Sequence, residues 1–145
     1  MSIRTAAWIA WSTLAFACSC ELFGLYFQAA NGDDQFMRDV FYALAVLAFP
    51  AVGALVAARR PANPIGWIFC AVVSAIFGYA ALQYGMYALV TQPGALPGGV
   101  WMAWLGNWAG NPGFNTIFTF TLLLFPDGQL PSPRWRPVAW LAGGV

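Results

Sequence analysis

Residues 61–126 carry the sequence PANPIGWIFCAVVSAIFGYAALQYGMYALVTQPGALPGGVWMAWLGNWAGNPGFNTIFTFTLLLFP. This stretch contains no Asp, Glu, Lys or Arg, and its one strong break is the proline- and glycine-rich segment TQPGALPGG at 91–99. A transmembrane helix needs about 20 mainly apolar residues, so the stretch is too long for one crossing. It predicts two membrane helices, at 64–90 and 100–125.

The composition of the whole chain points to the same environment. Of its 145 residues, 61% are hydrophobic and only 8% are charged. A soluble domain carries roughly 25% charged residues, and a chain this short cannot enclose so much apolar surface. The sequence therefore predicts an all-α integral membrane protein whose partner is the lipid bilayer. A second copy, joined through the membrane helices, is a candidate assembly. The net charge of +1 gives no basic surface for nucleic acid.

Two further membrane helices are predicted upstream, at 5–28 and 40–58, with a polar acidic loop between them. A cleaved signal peptide is the alternative for the first helix, because Ala15 to Ala17 before Cys18 resemble a cleavage site. The apolar run continues well beyond that point. Its full length favours a retained span.

After the fourth helix comes a polar loop, and Pro137 then opens an apolar run at 137–145. So short a run cannot cross a bilayer, so it predicts an incomplete fifth helix. We expect one membrane domain, a bundle of four transmembrane helices plus the start of a fifth. We also expect the chain to be the N-terminal piece of a longer protein or a truncated product.

The arginines predict an orientation. If the four helices alternate in direction, all arginines except Arg38 fall on one side of the membrane. Positive residues concentrate on the cytoplasmic side, so the N-terminus is predicted to be cytoplasmic. The acidic loop and the TQPGALPGG loop then face outward.

The fourth helix is the least regular. Trp101, Trp104 and Trp108 share a helical face, as expected of a membrane interface. The break Gly110 to Gly113, which includes Pro112, follows them. One kinked helix over 100–125 fits the length of a span best, and the rival is a short interfacial helix followed by a short or re-entrant segment.

Glu21 is the acid embedded in a predicted span, in the outer part of 5–28. A charge within lipid is costly, so such residues usually face the bundle interior or mark a pathway. A proton- or ligand-sensing carboxylate is one interpretation. A carboxylate hydrated near the outer interface, or buried and uncharged, is the other.

Uncharged polar residues mark two further candidate positions. Asn111 and Asn115 share a face of the fourth helix and could line a pocket beside Pro112. Tyr79 and Gln83 lie one turn apart near the outer end of the third helix, where a pocket shared with the fourth helix is conceivable. Interhelical hydrogen bonds and an aromatic belt are the simpler explanations for both sets.

Catalytic chemistry is poorly supported. The absence of histidine excludes a Ser-His or Cys-His site and a phospho-accepting histidine in this stretch. Cys18, Cys20 and Cys70 lie in apolar runs, where small helix-packing residues are expected rather than a disulfide or metal site. We therefore expect no enzyme, no catalytic residue, no metal and no cofactor.

Two segments carry a family resemblance: RRPANPIGWIF at 59–69 and LLLFPDGQLPSPRWRPVAW at 122–140. Together they resemble the N-terminal multi-helix membrane region of bacterial sensor histidine kinases. The resemblance implies a two-component signalling role, with dimerisation and ATP-binding modules in a full-length parent that are missing here. The predicted cytoplasmic anchor residues lie in or next to these two segments: Arg59, Arg60, Asn63, Pro64, Asp127, Arg134 and Arg136.

The leading functional prediction is therefore a membrane-embedded sensory input region without a kinase core. The alternative is a small multi-pass membrane protein of transport or accessory type, or a nonfunctional truncation. Transport predicts charged or broken-helix sites near the middle of the bilayer. In the sequence, the break at Asn111 to Gly113 meets that requirement, whereas Glu21 lies off centre.

Overall fold

The computed structural model describes residues 2–32, 34–124 and 137, with side chains left out at position 36 and at several positions between 111 and 124. Its helices are α1 (Ile3–Ala30), α2 (Phe36–Arg59), α3 (Pro64–Cys70), α4 (Val73–Met86) and α5 (Gly99–Leu124). A short π-helical segment, Tyr87–Thr91, extends α4. Over these described residues the secondary structure is entirely helical, without strands.

Three segments are long and apolar enough to cross a membrane: Ile3–Ala30, Met37–Arg59 and Pro64–Thr91. The prediction of an all-helical, membrane-embedded protein is confirmed at this level. The expected fifth helix at 137–145 lies outside the described residues apart from Pro137. So do the anchor residues Asp127, Arg134 and Arg136.

The third of these segments changes its hydrogen-bonding pattern at two places. Between α3 and α4, the amide of Ala71 reaches the carbonyl of Ile68 at 3.1 Å, and that of Val72 reaches Phe69 at 3.3 Å. These i to i+3 contacts are tighter than α-helical ones. At the other end, the π-helical turn leads into the 91–99 connection. α5, by contrast, is helical without interruption across Pro112.

Asn63 and Pro64 cap the start of α3. The side-chain oxygen of Asn63 accepts a hydrogen bond from the amide of Ile65 at 3.0 Å, and Pro64 occupies the first helical position. An asparagine cap satisfies an amide that the helix cannot, and proline there loses no donor.

Removal of this cap has a measurable consequence. Asn63→Ala is expected to lower the free energy of unfolding by about 1 kcal/mol, because an amide in the first turn loses its acceptor. Asn63→Ser keeps a capping oxygen and should stay near wild type. Unfolding in mixed micelles by SDS titration measures both. Equal losses in the two variants would show that the cap contributes nothing.

Helix packing relies on glycine and alanine rather than on large side chains. A Cβ placed on Gly53 of α2 would lie 2.6 Å from the amide nitrogen of Cys70, and one on Gly66 of α3 would lie 2.7 Å from that of Ala57. α2 and α3 are therefore in backbone contact. Small residues allow such approach in membrane bundles, where dispersion rather than water exclusion drives association.

Small residues also bring the backbones of α4 and α5 into contact. A Cβ on Gly78 would lie 2.6 Å from the Cα of Gly110, and one on Gly85 would lie 2.8 Å from the amide nitrogen of Ala103. α4 also packs on α1, and α1 packs on α2. Ala10 and Ala17 of α1 are completely buried. The helices thus follow the order α5, α4, α1, α2, with α3 against α2.

The cysteines belong to this packing. Cys20 joins a buried cluster with Val72 and Ile76, and Cys70 joins a second cluster with Ala54. Cys18 is partly exposed, and all three thiols are free.

Candidate functional site

A cavity of about 600 Å³ lies between α1, α2 and α4, and among the residues that the structure describes α5 contributes Gly110. Val46, Ile76 and Leu82 form part of an apolar wall. The polar side chains in the described part of its lining are those of Glu21, Gln28, Arg38, Asp39, Tyr42 and Tyr79. A mainly apolar cleft with a few convergent polar groups is the usual form of a small-molecule site.

One end of the cavity is marked by an ion pair at the start of α2. The Nε of Arg38 donates to a carboxylate oxygen of Asp39 at 3.0 Å. The side chain of Arg38 is 64% exposed, whereas that of Asp39 is only 12% exposed. We call this region, where α1 ends and α2 begins, the α1–α2 end. Asp39 therefore points inward and Arg38 shields it from the surface.

A relay of hydrogen bonds leads from Asp39 into the bundle. The side-chain amide of Gln28 donates to the second carboxylate oxygen of Asp39. The hydroxyl of Tyr79 donates to the side-chain carbonyl of Gln28. The relay joins three helices, since Asp39 is on α2, Gln28 on α1 and Tyr79 on α4. A glutamine suits the centre because it offers a donor and an acceptor at once.

Gly24 makes the relay sterically feasible. A Cβ at this position would lie 2.6 Å from the Cε1 of Tyr79 and 2.8 Å from its Cδ1. The tyrosine ring thus occupies the space that a side chain on α1 would fill, one turn before Gln28. The glycine allows Tyr79 to cross the face of α1 and reach the amide.

Glu21 lies two turns before Gln28 on the same face of α1. It is only 5% exposed and lines the cavity. The described residues provide it with no hydrogen bond and no ion pair. Within the same residues, no fully buried side-chain polar atom lacks a partner, so the Glu21 carboxylate is not completely enclosed. Glu21 and the Asp39 relay therefore line one compartment.

The structure brings Glu21 and Tyr79, two of the predicted site residues, into the cavity. Gln83 lies elsewhere: the side-chain amide of Asn31 donates to its backbone and side-chain oxygens at 3.1 and 3.2 Å. Thr91 in turn donates to Asn31 at 2.6 Å. Gln83 therefore helps to hold α4 against the end of α1, at the α1–α2 end.

The hydrogen bonds of Tyr79 and Gln83 lead to Gln28 in α1 and to Asn31 at its end. Tyr79 also lines the cavity to which Gly110 of α5 contributes, and a pocket that Tyr79 and Gln83 share with the fourth helix stays a prediction. Asn111 and Asn115 lie on α5, and their side chains are outside the described residues.

The described anchor residues lie away from the cavity. Arg59 ends α2 and, like Arg60, is exposed. Asn63 and Pro64 begin α3, as described above. The indole of Trp67 donates to the carbonyl of Pro61 at 3.0 Å and secures this turn.

Sequence reasoning missed Gln28, Arg38, Asp39 and Tyr42. The second helix was predicted to begin at residue 40, which left Arg38 and Asp39 in a loop, whereas α2 begins at Phe36. With that extra turn, Asp39 and Tyr42 fall on one helical face. The sequence does contain an indication for Gln28. It follows Glu21 by seven residues, or two helical turns, so both side chains lie on one face of α1.

The comparisons with known proteins bear on this same region. A family model described as "Glycine transporter" matches residues 39–80, which include α3 and parts of α2 and α4. No curated protein and no solved structure matches the chain.

The family match contradicts the resemblance to sensor histidine kinases and the two-component signalling role drawn from it. The motifs behind that resemblance have a general physical origin. Arginines mark the cytoplasmic ends of membrane helices in many families, and Asn-Pro begins helices of any function. Such boundary signals specify where helices start and stop, so they misled the functional prediction.

Proposed function

We propose that the chain is a small multi-pass membrane protein of the transporter type, and that the cavity holds its solute. The observation that carries this proposal is the overlap between the family match and the cavity. Residues 39–80 include Asp39, Tyr42 and Tyr79, and thus much of the polar lining. Charged and polar groups inside a membrane bundle usually mark a solute or ion pathway.

Glycine, which the family description names, is the solute that we propose to test first. A small zwitterion suits a cavity whose lining contains carboxylates, a guanidinium and neutral hydrogen-bonding groups. The remaining wall is apolar, and a polar contact with a bound solute is stronger beside a wall of low dielectric constant. No catalytic step is part of this proposal.

We further propose that α5 is a fourth span and that the N-terminus is cytoplasmic. α5 has 26 residues, which at 1.5 Å per residue extend about 39 Å, enough for a hydrocarbon core of about 30 Å. Arg4, Arg59 and Arg60 support this orientation. In this arrangement the ion pair of Arg38 and Asp39 faces outward. Transport then requires a second state in which the cavity opens to the other side.

Uptake of radiolabelled glycine into liposomes containing the purified protein tests the function. We expect uptake above that of protein-free liposomes and at least a tenfold loss in Asp39→Asn, because the relay loses its charged acceptor and Arg38 its partner; tenfold corresponds to about 1.4 kcal/mol. Asp34→Asn removes the same charge from an exposed loop position and should leave uptake unchanged. Uptake no faster than in protein-free liposomes would refute the proposal for glycine.

A further inference from the structure

We propose that Glu21 binds the ammonium group of the solute, so that the part of the cavity lined by Glu21 selects alkylammonium groups over carboxylates. This inference rests on the proposed function for the kind of solute, and on the geometry of Glu21 for the chemistry. Nothing in the family match points to this residue, since Glu21 lies before the matched segment.

The charge of the cavity lining favours a cationic ligand. Among the described residues that line the cavity, the ionisable groups with a formal charge are Glu21, Arg38 and Asp39. Arg38 and Asp39 neutralise each other through their ion pair. Glu21 is left as the uncompensated charge, so the lining has a net formal charge of −1. A cationic group is attracted to such a compartment, and an anion is repelled.

Glu21 is also a buried acid without a partner among the described residues. The residue is 5% exposed, and no described residue supplies a counter-charge. Buried charges are normally paired, because an isolated one is strongly destabilising. An ammonium group supplies the missing charge together with three hydrogen-bond donors. Glu21 lines the cavity, so such a group can approach it from there.

Arg38, the cationic group of the described lining, is already engaged. Its Nε donates to Asp39, which also accepts the hydrogen bond from the Gln28 amide. Glu21 offers a solute an anionic acceptor. The ammonium end of the solute therefore determines recognition at Glu21, and a carboxylate on the solute is not required for binding there.

Calorimetric binding of glycine, methylamine and acetate to the purified full chain in detergent tests this inference. Methylamine keeps the ammonium group of glycine, and acetate keeps its carboxylate. At pH 8 an alkylammonium group remains protonated. We expect wild-type protein to bind glycine and methylamine and to show no binding of acetate. Glu21→Gln, which keeps the side-chain shape, should weaken both positive signals at least tenfold.

Two further variants test whether binding depends on the negative charge at position 21. Glu21→Asp keeps the charge on a shorter side chain and should retain part of the methylamine binding. Asp34→Asn removes an exposed acid and should bind like wild type. The inference is overturned if Glu21→Gln binds methylamine as tightly as wild type, if acetate binds as well as methylamine, or if wild type binds neither amine.

The binding and uptake measurements separate the two proposals. Binding that depends on Glu21, without uptake by liposomes, supports the ammonium site and refutes transport. Glycine uptake that is unchanged in Glu21→Gln, together with unchanged binding, supports transport and refutes the ammonium site. A monodisperse, helical Glu21→Gln variant, checked by gel filtration and circular dichroism, ensures that lost binding is a local effect.

Discussion

Gly78→Ala is expected to weaken the contact between α4 and α5 and to lower the free energy of unfolding by about 3 kcal/mol, at the upper end of overpacking costs. The added Cβ would lie 2.6 Å from the Cα of Gly110 and closer still to its backbone nitrogen. Both atoms belong to the backbone of α5, so no flexible side chain can move aside. The two helices must separate, which removes contacts along their whole interface.

Gly110→Ala is a matched control from the opposite side of the same contact. A Cβ on Gly110 would meet its nearest atoms, in Gly78, at 4.0 Å, an ordinary van der Waals distance. Alanine also favours a helix over glycine by about 1 kcal/mol, so this variant should be as stable as wild type or more stable. SDS titration of both purified variants measures the difference. Equal stability of Gly78→Ala and Gly110→Ala would contradict the close backbone approach.

Gln28→Leu is expected to lower the free energy of unfolding by about 1–3 kcal/mol, because it removes the centre of the relay and leaves buried polar groups without their partner. Tyr79 loses the acceptor for its hydroxyl, and Asp39 loses one donor. Leucine keeps a similar volume, so the loss reports polar contacts rather than a void.

A double-mutant cycle with Tyr79→Phe isolates the bond between α1 and α4. Hydrogen bonds between membrane helices measured in this way average about 0.6 kcal/mol and reach about 1.7 kcal/mol. We expect a coupling within that range, since Gln28 is only 8% exposed. Asn107→Ala provides a control, because its side chain bonds within its own helix, to Ala103. Additive effects of Gln28→Leu and Tyr79→Phe would show that the relay has no energetic role.

The family match and the cavity move attention from the arginine and proline motifs to the residues that line the cavity. The arginine and proline motifs suggested a signalling protein, but they are signals of helix ends. The residues that line the cavity are dispersed over α1, α2 and α4 and form no continuous motif. A local pattern can single out one such residue, but it could not have shown that they share a cavity, because these groups meet only across helices.

The sequence by itself was enough to predict that this protein lies in a lipid bilayer. Long apolar segments, few charges and glycine- and proline-rich breaks predict membrane helices, since lipid requires every spanning segment to satisfy its own backbone. It also identified Glu21 and Tyr79 individually, because a charge or a polar face within an apolar run is conspicuous.

Only the tertiary structure decided which of these polar groups meet. Gly24 lets Tyr79 reach Gln28, and the early start of α2 turns Asp39 inward to join them. These contacts depend on the rotation and separation of whole helices, which are set by backbone approach at small residues on each interface. A hydrophobic pattern that surrounds a helix on all sides contains no information about that rotation.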